Sequence, residues 1–289
     1  MSGDREAHIA VILGRQGAGK SFRELKECLA YAMDDVAKGK RGRKVLVLDC
    51  NPKSGSYHGI KTIDYDCSIK DTLTKGQIID NGSKRSAEII KWCKSPSNEV
   101  RRVVALKKTG EMMDLDEMNQ ACIDLMKYFT EGKLVLEDTN VYLYGARQKK
   151  FVSTFVTVRH RNVDLILMMQ SFSAPDPRIW NNTSIIRLHK TMDSPEGVRK
   201  KLKEDFELLM LGYLIVNQQY KIGNSYYCLY ADRRKGKLVG VQPKSFEMAC
   251  RQYLMLYTRD LKSFQLMNSI KNTEQAIKEW ADQKAQEYL

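Results

Sequence analysis

Short apolar runs alternate along the chain with stretches in which apolar positions recur every three or four residues. "HIAVILG" (8–14), "VLVLDCN" (45–51), "VRRVVALKK" (100–108), "KLVLED" (133–138), "VDLILMMQ" (163–170) and "TSIIRLHK" (183–190) read as strands. From Lys20 the period turns helical, with Phe22, Leu25, Leu29 and Met33 on one stripe. Further helices are expected over about 114–130 and 147–158. Another should run from Ser194, an N-cap with Pro195 at the first helical position, to about 211. Residues 39–44 form a basic turn, 51–98 read as loops and small elements, and 225–241 read as a hairpin with a basic turn. The C-terminal stretch is helical, with Ile277, Trp280, Ala281 and Tyr288 forming one apolar stripe. Strands alternating with helices predict an α/β fold, a mostly parallel sheet covered by helices, followed by the hairpin and a helical extension. The expected division is 1–240 for the sheet domain and 241–289 for the extension. No internal repeat or low-complexity tract interrupts the pattern.

The junction of the first strand and first helix reads "LGRQGAGKSF" (13–22). Gly14, Arg15, Gln16, Gly17, Ala18, Gly19, Lys20 and Ser21 match G-x-x-x-x-G-K-[ST] at every fixed position. Glycines permit positive φ, so successive N–H groups can curl around phosphate oxygens, and the following helix adds its free N-terminal N–H groups. Lys20 would reach the β- and γ-phosphates, the Ser21 hydroxyl would ligate Mg²⁺, and Phe22 closes the nucleotide-binding run. The chain contains no Asn-Lys-x-Asp tetrapeptide, which a GTPase would use to read its base, and this points to ATP. A second requirement is an acidic strand end, which "KLVLED" supplies with Glu137 and Asp138. Gln170, ending a later apolar strand, can hydrogen-bond the γ-phosphate or its water.

Composition sharpens this picture in two places. The formal net charge of the 289-residue chain is +13, which fits either a solvated basic surface or a polyanionic partner. Charge alone does not separate DNA from RNA or an acidic membrane face. Candidate backbone contacts are Arg233, Arg234, Lys235 and Lys237 on the hairpin, with Lys149 and Lys150. The seven cysteines are scattered singly without a Cys-x-x-Cys pair, and only four histidines occur, so no metal motif is present. No apolar run approaches the length needed to cross a bilayer, and the charged start lacks a signal-peptide core, so an intracellular protein is expected.

"VRHRNVDLILMMQSF" (158–172) places an Arg-His-Arg cluster just before the strand that ends in Gln170. With the glycine loop and the strand-end acidic pair, this stretch resembles the HerA/FtsK group of DNA-pumping ATPases. It is most similar to their viral branches, the genome-packaging ATPases and the Zot-like phage proteins. The resemblance covers about residues 8–190. It implies an ASCE-type, RecA-like P-loop NTPase fold, with ATP and Mg²⁺ as cofactors. It also implies that Lys20 and Ser21 bind phosphate and metal, Glu137 and Asp138 form the acidic pair, and Gln170 is the sensor. Arg159 or Arg161 would be the arginine finger directed at a neighbouring subunit. The family usually has Asp then Glu in the acidic pair, so the roles of Glu137 and Asp138 stay open. Asn162 stands where Zot-like proteins often have glycine, and asparagine tolerates the left-handed conformation. Partners implied are viral DNA, copies of the chain in a ring (a hexamer before a pentamer), and capsid or packaging-vertex proteins. The implied setting is the host cytoplasm or the virion. A Zot-like protein would carry a membrane-spanning helix, and its absence tilts the reading toward packaging. Zot-like extrusion, a P-loop kinase of a small molecule or nucleic-acid end, and a nucleotide-switched adaptor remain alternatives.

Overall fold

The computed structural model describes residues 7–35, 39–74, 77–142 and 145–289, with the side chains at 145–149, 156 and 159 outside that description. The first apolar run forms β1 (Ile9–Leu13), buried throughout, and α1 (Lys20–Ala32) follows the glycine loop. β2 (Lys44–Asp49) is also fully buried, whereas β3 (Lys61–Thr62), β4 (Thr72–Thr74) and β5 (Gln77–Ile79) are short and exposed. Two small helices, α2 (Gly82–Arg85) and α3 (Ala87–Cys93), lead into β6 (Val100–Val104). Asp114 starts α4 (Leu115–Tyr128) with a reciprocal cap, in which its carboxylate accepts from Glu117 N–H and Glu117 accepts from Asp114 N–H. Then come β7 (Gly132–Leu136), α5 (Thr139–Tyr142), α6 (Gly145–Thr157) and β8 (Val163–Met169). α7 (Pro177–Asn182) precedes β9 (Ile185–Leu188), and α8 (Arg199–Leu202) precedes the long α9 (Phe206–Lys221). The hairpin is β10 (Leu229–Asp232) and β11 (Lys237–Val239), and α10 (Pro243–Leu256), α11 (Thr258–Met267) and α12 (Thr273–Tyr288) end the chain.

Nine strands form one sheet in the order β11-β10-β9-β1-β8-β7-β2-β6-β3. β7–β8, β2–β7, β2–β6 and β3–β6 pair in parallel, and the hairpin strands enter antiparallel, β10 on β9 and β11 on β10. The expected mostly parallel sheet flanked by helices is therefore what the chain builds. β8 intervenes between β1 and β7, so a strand separates the glycine loop's strand from the strand of the acidic pair.

The chain packs into two compact units, Met1–Ala10 with Lys20–Met169, and Val11–Gly19 with Gln170–Leu289. In the first unit a polar seam runs under α1. Lys133 of β7 pairs with Glu24 at 3.5 Å, Cys28 donates to Glu24 at 3.4 Å, and Tyr31 donates to Asp164 at 2.7 Å. Asp164 also accepts from the His8 N–H at 2.9 Å. The helix forms where the period predicts it, but its apolar stripe does not face the core, and of its members Leu25 alone is half-buried. Lys20, Glu24 and Cys28 are buried, while Phe22 is 63% exposed, Leu29 44% and Met33 70%. Asn162 does take the left-handed conformation, with φ 57°, at the turn into β8.

In the second unit α9 is buried along most of its length, and α10 packs on both α9 and α12. The C-terminal helices lie in this unit. Their apolar stripe behaves as read: Ile277, Trp280, Ala281 and Tyr288 are buried, and Trp280 stacks on Tyr253 with ring centres 5.4 Å apart. The helix expected from Ser194 to about 211 is broken. Ser194 does cap, accepting from the Glu196 N–H, but it opens a 3₁₀ turn (Pro195–Val198). Lys203, at φ 50°, then interrupts the helical path, and α9 runs on to Lys221. Among the described residues no helix is long and apolar enough to cross a membrane.

Candidate nucleotide site

The glycine loop turns through two positive-φ glycines, Gly17 at 76° and Gly19 at 79°, a conformation that side chains rarely adopt. Its upstream part is held within the second unit. The Arg15 N–H donates to the Lys190 carbonyl at 2.7 Å, and His189 Nδ1 lies 2.9 Å from the Ala18 carbonyl. Arg15 is further fixed by Tyr220, donating to its hydroxyl at 2.5 Å with the guanidinium 4.8 Å from the ring centre. Gln16 and Gly17 are exposed at the tip.

In the first unit, α1 begins with Lys20 and Ser21, so its N-terminal N–H groups open where an anion would be held. Ser21 Oγ donates to Glu137 Oε1 at 2.5 Å. Glu137 follows β7 directly and is 5% exposed, and its backbone carbonyl accepts from the Tyr142 hydroxyl at 2.7 Å. Burial pushes its carboxyl up to about 7, with the Ser21 bond opposing and the charges of Asp49 and Asp138 adding to the rise. Burial likewise lowers the Lys20 ammonium, against the attraction of Asp138 and Glu137. Asp138 sits at φ 43°, a left-handed conformation uncommon outside glycine, at the turn between β7 and α5. Lys20, Ser21, Glu137 and Asp138 are thus brought together.

Asp49, which the motif reading does not single out, ends β2 and is 1% exposed. Arg102 donates to it at 2.9 Å, yet burial is the larger influence and raises its carboxyl. Its signal in the sequence is the one that marks Glu137: an acidic residue closing an apolar strand. Tyr57, fully buried beside Glu137, came with no such signal.

The remaining candidates are distributed differently. Gln170 follows the last residue of β8, as expected for a strand-end amide. Arg161 donates to the Met126 carbonyl at 2.7 Å, whereas the side chain of Arg159 lies outside the described structure. Lys149 is likewise outside it, and Lys150, exposed, donates to Gln120 at 3.2 Å. On the hairpin, Arg233 is spent internally, pairing with Asp205 at 2.5 Å and donating to the Thr183 carbonyl at 2.8 Å. Lys237 donates to the Gln286 carbonyl at 3.1 Å, while Arg234 and Lys235 are exposed at the turn.

The sheet, the glycine loop after β1 and the acidic end of β7 define an α/β protein of the P-loop NTPase type. No family model matches the chain, and no curated protein matches it. Among solved structures it is similar to the genome packaging NTPase B204 from Sulfolobus turreted icosahedral virus 2 in complex with ATP-gammaS. That match has 16% identity, covers 80% of this chain and 95% of that one, and has a TM-score of 0.43. The sulfate complex of the same NTPase gives 16% identity, 81% and 95% coverage and a TM-score of 0.45. The N-terminal domain of zonular occludens toxin from Neisseria meningitidis gives 17% identity, 63% and 76% coverage and a TM-score of 0.30. These neighbours are of the two kinds that the sequence resemblance names.

Proposed function

We propose that this chain is an ATP-driven nucleic-acid translocase, a viral genome-packaging ATPase that works as a ring. The observation that carries the nucleotide chemistry is the Ser21–Glu137 hydrogen bond of 2.5 Å beside Lys20 and Asp138. Two hard oxygen donors at the mouth of a phosphate loop suit Mg²⁺, so Ser21 and Glu137 are the residues that would hold it. The metal, when bound, neutralises charge on the β- and γ-phosphate oxygens. Lys20 adds a desolvated positive charge to the same oxygens, and Asp138 orients the attacking water. Gln170 senses the γ-phosphate. The finger, Arg159 or Arg161, acts on the neighbouring subunit; the Arg161 bond to the Met126 carbonyl supports taking Arg159 first. The motor half of the proposal is supported by the +13 charge and by the family resemblance of the Arg-His and Gln stretch.

The test is ATP turnover with and without DNA, followed by mixing of two inactive variants. DNA should stimulate hydrolysis, and Arg159→Ala mixed with Lys20→Ala should recover activity at mixed interfaces. Turnover indifferent to DNA, with no recovery despite confirmed co-assembly, would favour a P-loop kinase or an adaptor over a ring motor.

A further inference from the structure

Tyr226 lies against the glycine loop, and phosphate binding gives it no role. A β-carbon at Gly19 would stand 2.8 Å from Tyr226 Cδ1, so the ring edge rests where a side chain is missing. The tyrosine is nonetheless 72% exposed, leaving most of the ring surface open to solvent at the rim of the loop. The segment that carries it is well tied. Gly223 turns at φ 91°, the Asn224 N–H donates to the Gln219 carbonyl at 3.0 Å, and Asn224 Nδ2 donates to Gln219 Oε1 at 3.2 Å. On its other side the Tyr227 hydroxyl donates to the Gly240 carbonyl at 2.7 Å. An exposed aromatic held from both flanks loses little further freedom when a ligand packs on it. The nearby Tyr220, by contrast, is already covered by Arg15.

We propose that Tyr226 is the stacking platform for the base of the bound nucleotide, so that the site accepts nucleoside triphosphates with little distinction between bases, adenine and guanine among them. This rests on the phosphate-loop reading of Gly14–Ser21. A nucleotide whose phosphates lie in the loop must carry its ribose and base out along the rim, where Tyr226 offers its ring. Stacking uses the π-face that every base has, and so reads no hydrogen-bond pattern. The chain has no Asn-Lys-x-Asp reader to add one. The Tyr226 hydroxyl is dispensable on this account, and the ring is not.

Binding of ATP, GTP and inorganic tripolyphosphate to the full chain with Mg²⁺ tests the assignment, because tripolyphosphate fills the loop without a base. Tyr226→Ala should weaken ATP and GTP alike, by about ten- to a hundredfold, the range that base–aromatic stacking supports. Tyr226→Phe and Tyr226→Trp should bind both nucleotides as the parent does. Tripolyphosphate should bind Tyr226→Ala and the parent equally. Unchanged ATP affinity in Tyr226→Ala, or tripolyphosphate weakened as much as ATP, would overturn the platform. A parent that binds neither ATP nor tripolyphosphate would overturn the phosphate loop itself, and the platform with it.

Discussion

In α12 the apolar residues Ile277, Trp280, Ala281 and Tyr288 are buried, whereas in α1 Phe22, Leu29 and Met33 face solvent and Lys20, Glu24 and Cys28 are buried. Both helices show an apolar stripe at helical spacing, so periodicity alone treats them alike. What differs is what fixes the rotation about each axis. No phosphate-binding residue fixes the rotation of α12, and it turns its stripe inward, with Lys284 and Tyr288 tied to Glu207 at its end. α1 begins with the lysine and serine of the phosphate loop, and Lys20 must face the loop and the strand-end carboxylates. Residues four apart share a helix face, so burying Lys20 also buries Glu24 and Cys28. Phe22, two positions on, is carried roughly 200° round to the other side. The chain compensates with the polar seam: Glu24 meets Lys133, and Tyr31 meets Asp164.

That contrast can be broken at Glu24. Removing one partner of a buried pair strands the other charge, so Glu24→Ala should cost about 3–5 kcal/mol in denaturant unfolding. Lys133→Met in the same chain should recover most of it. A small cost for Glu24→Ala alone would mean that the seam does not hold α1 in place. On the α12 side, Ile277→Ala should cost about 2–5 kcal/mol, as a buried apolar truncation does.

Glu137 gives a pH signature on the first unit. Its folded carboxyl holds its proton up to about 7 against an ordinary 4.5, because burial disfavours the charge. A raised folded value means that the contribution is whole below pH 4.5 and is lost as pH rises through 7. In metal-free protein this loss should approach about 3 kcal/mol, and Glu137→Gln should flatten it. A parent curve already flat between pH 4.5 and 7 would contradict the assignment. The smallest effect belongs to the exposed stripe: Leu29→Ala and Met33→Ala should each change stability by no more than about 0.5 kcal/mol. A core-sized cost there would restore the apolar-stripe reading of α1.

The sheet was legible because its strands are near-continuous apolar runs, and parallel strands buried on both faces leave that mark. The phosphate loop was legible because its conformation demands glycine at fixed spacing. Asp49 could have been read by the rule that found Glu137, since each closes an apolar strand with a carboxylate. Tyr226 could not, because its place depends on the turn after α9 returning to Gly19, a contact between residues distant in sequence. The break at Lys203 was hidden for a related reason, as lysine carries no turn preference to announce a positive φ.

Steady-state ATP hydrolysis by Lys20→Ala tests the central claim most directly. Lys20 is a buried ammonium at the mouth of the phosphate loop, and its loss removes transition-state charge stabilisation while leaving no apolar cavity in the core. The variant should keep the parent's unfolding midpoint and lose at least about 10²–10³-fold in turnover, the scale of one such electrostatic contact. A folded Lys20→Ala chain that hydrolyses ATP at the parent's rate would contradict the phosphate-loop account.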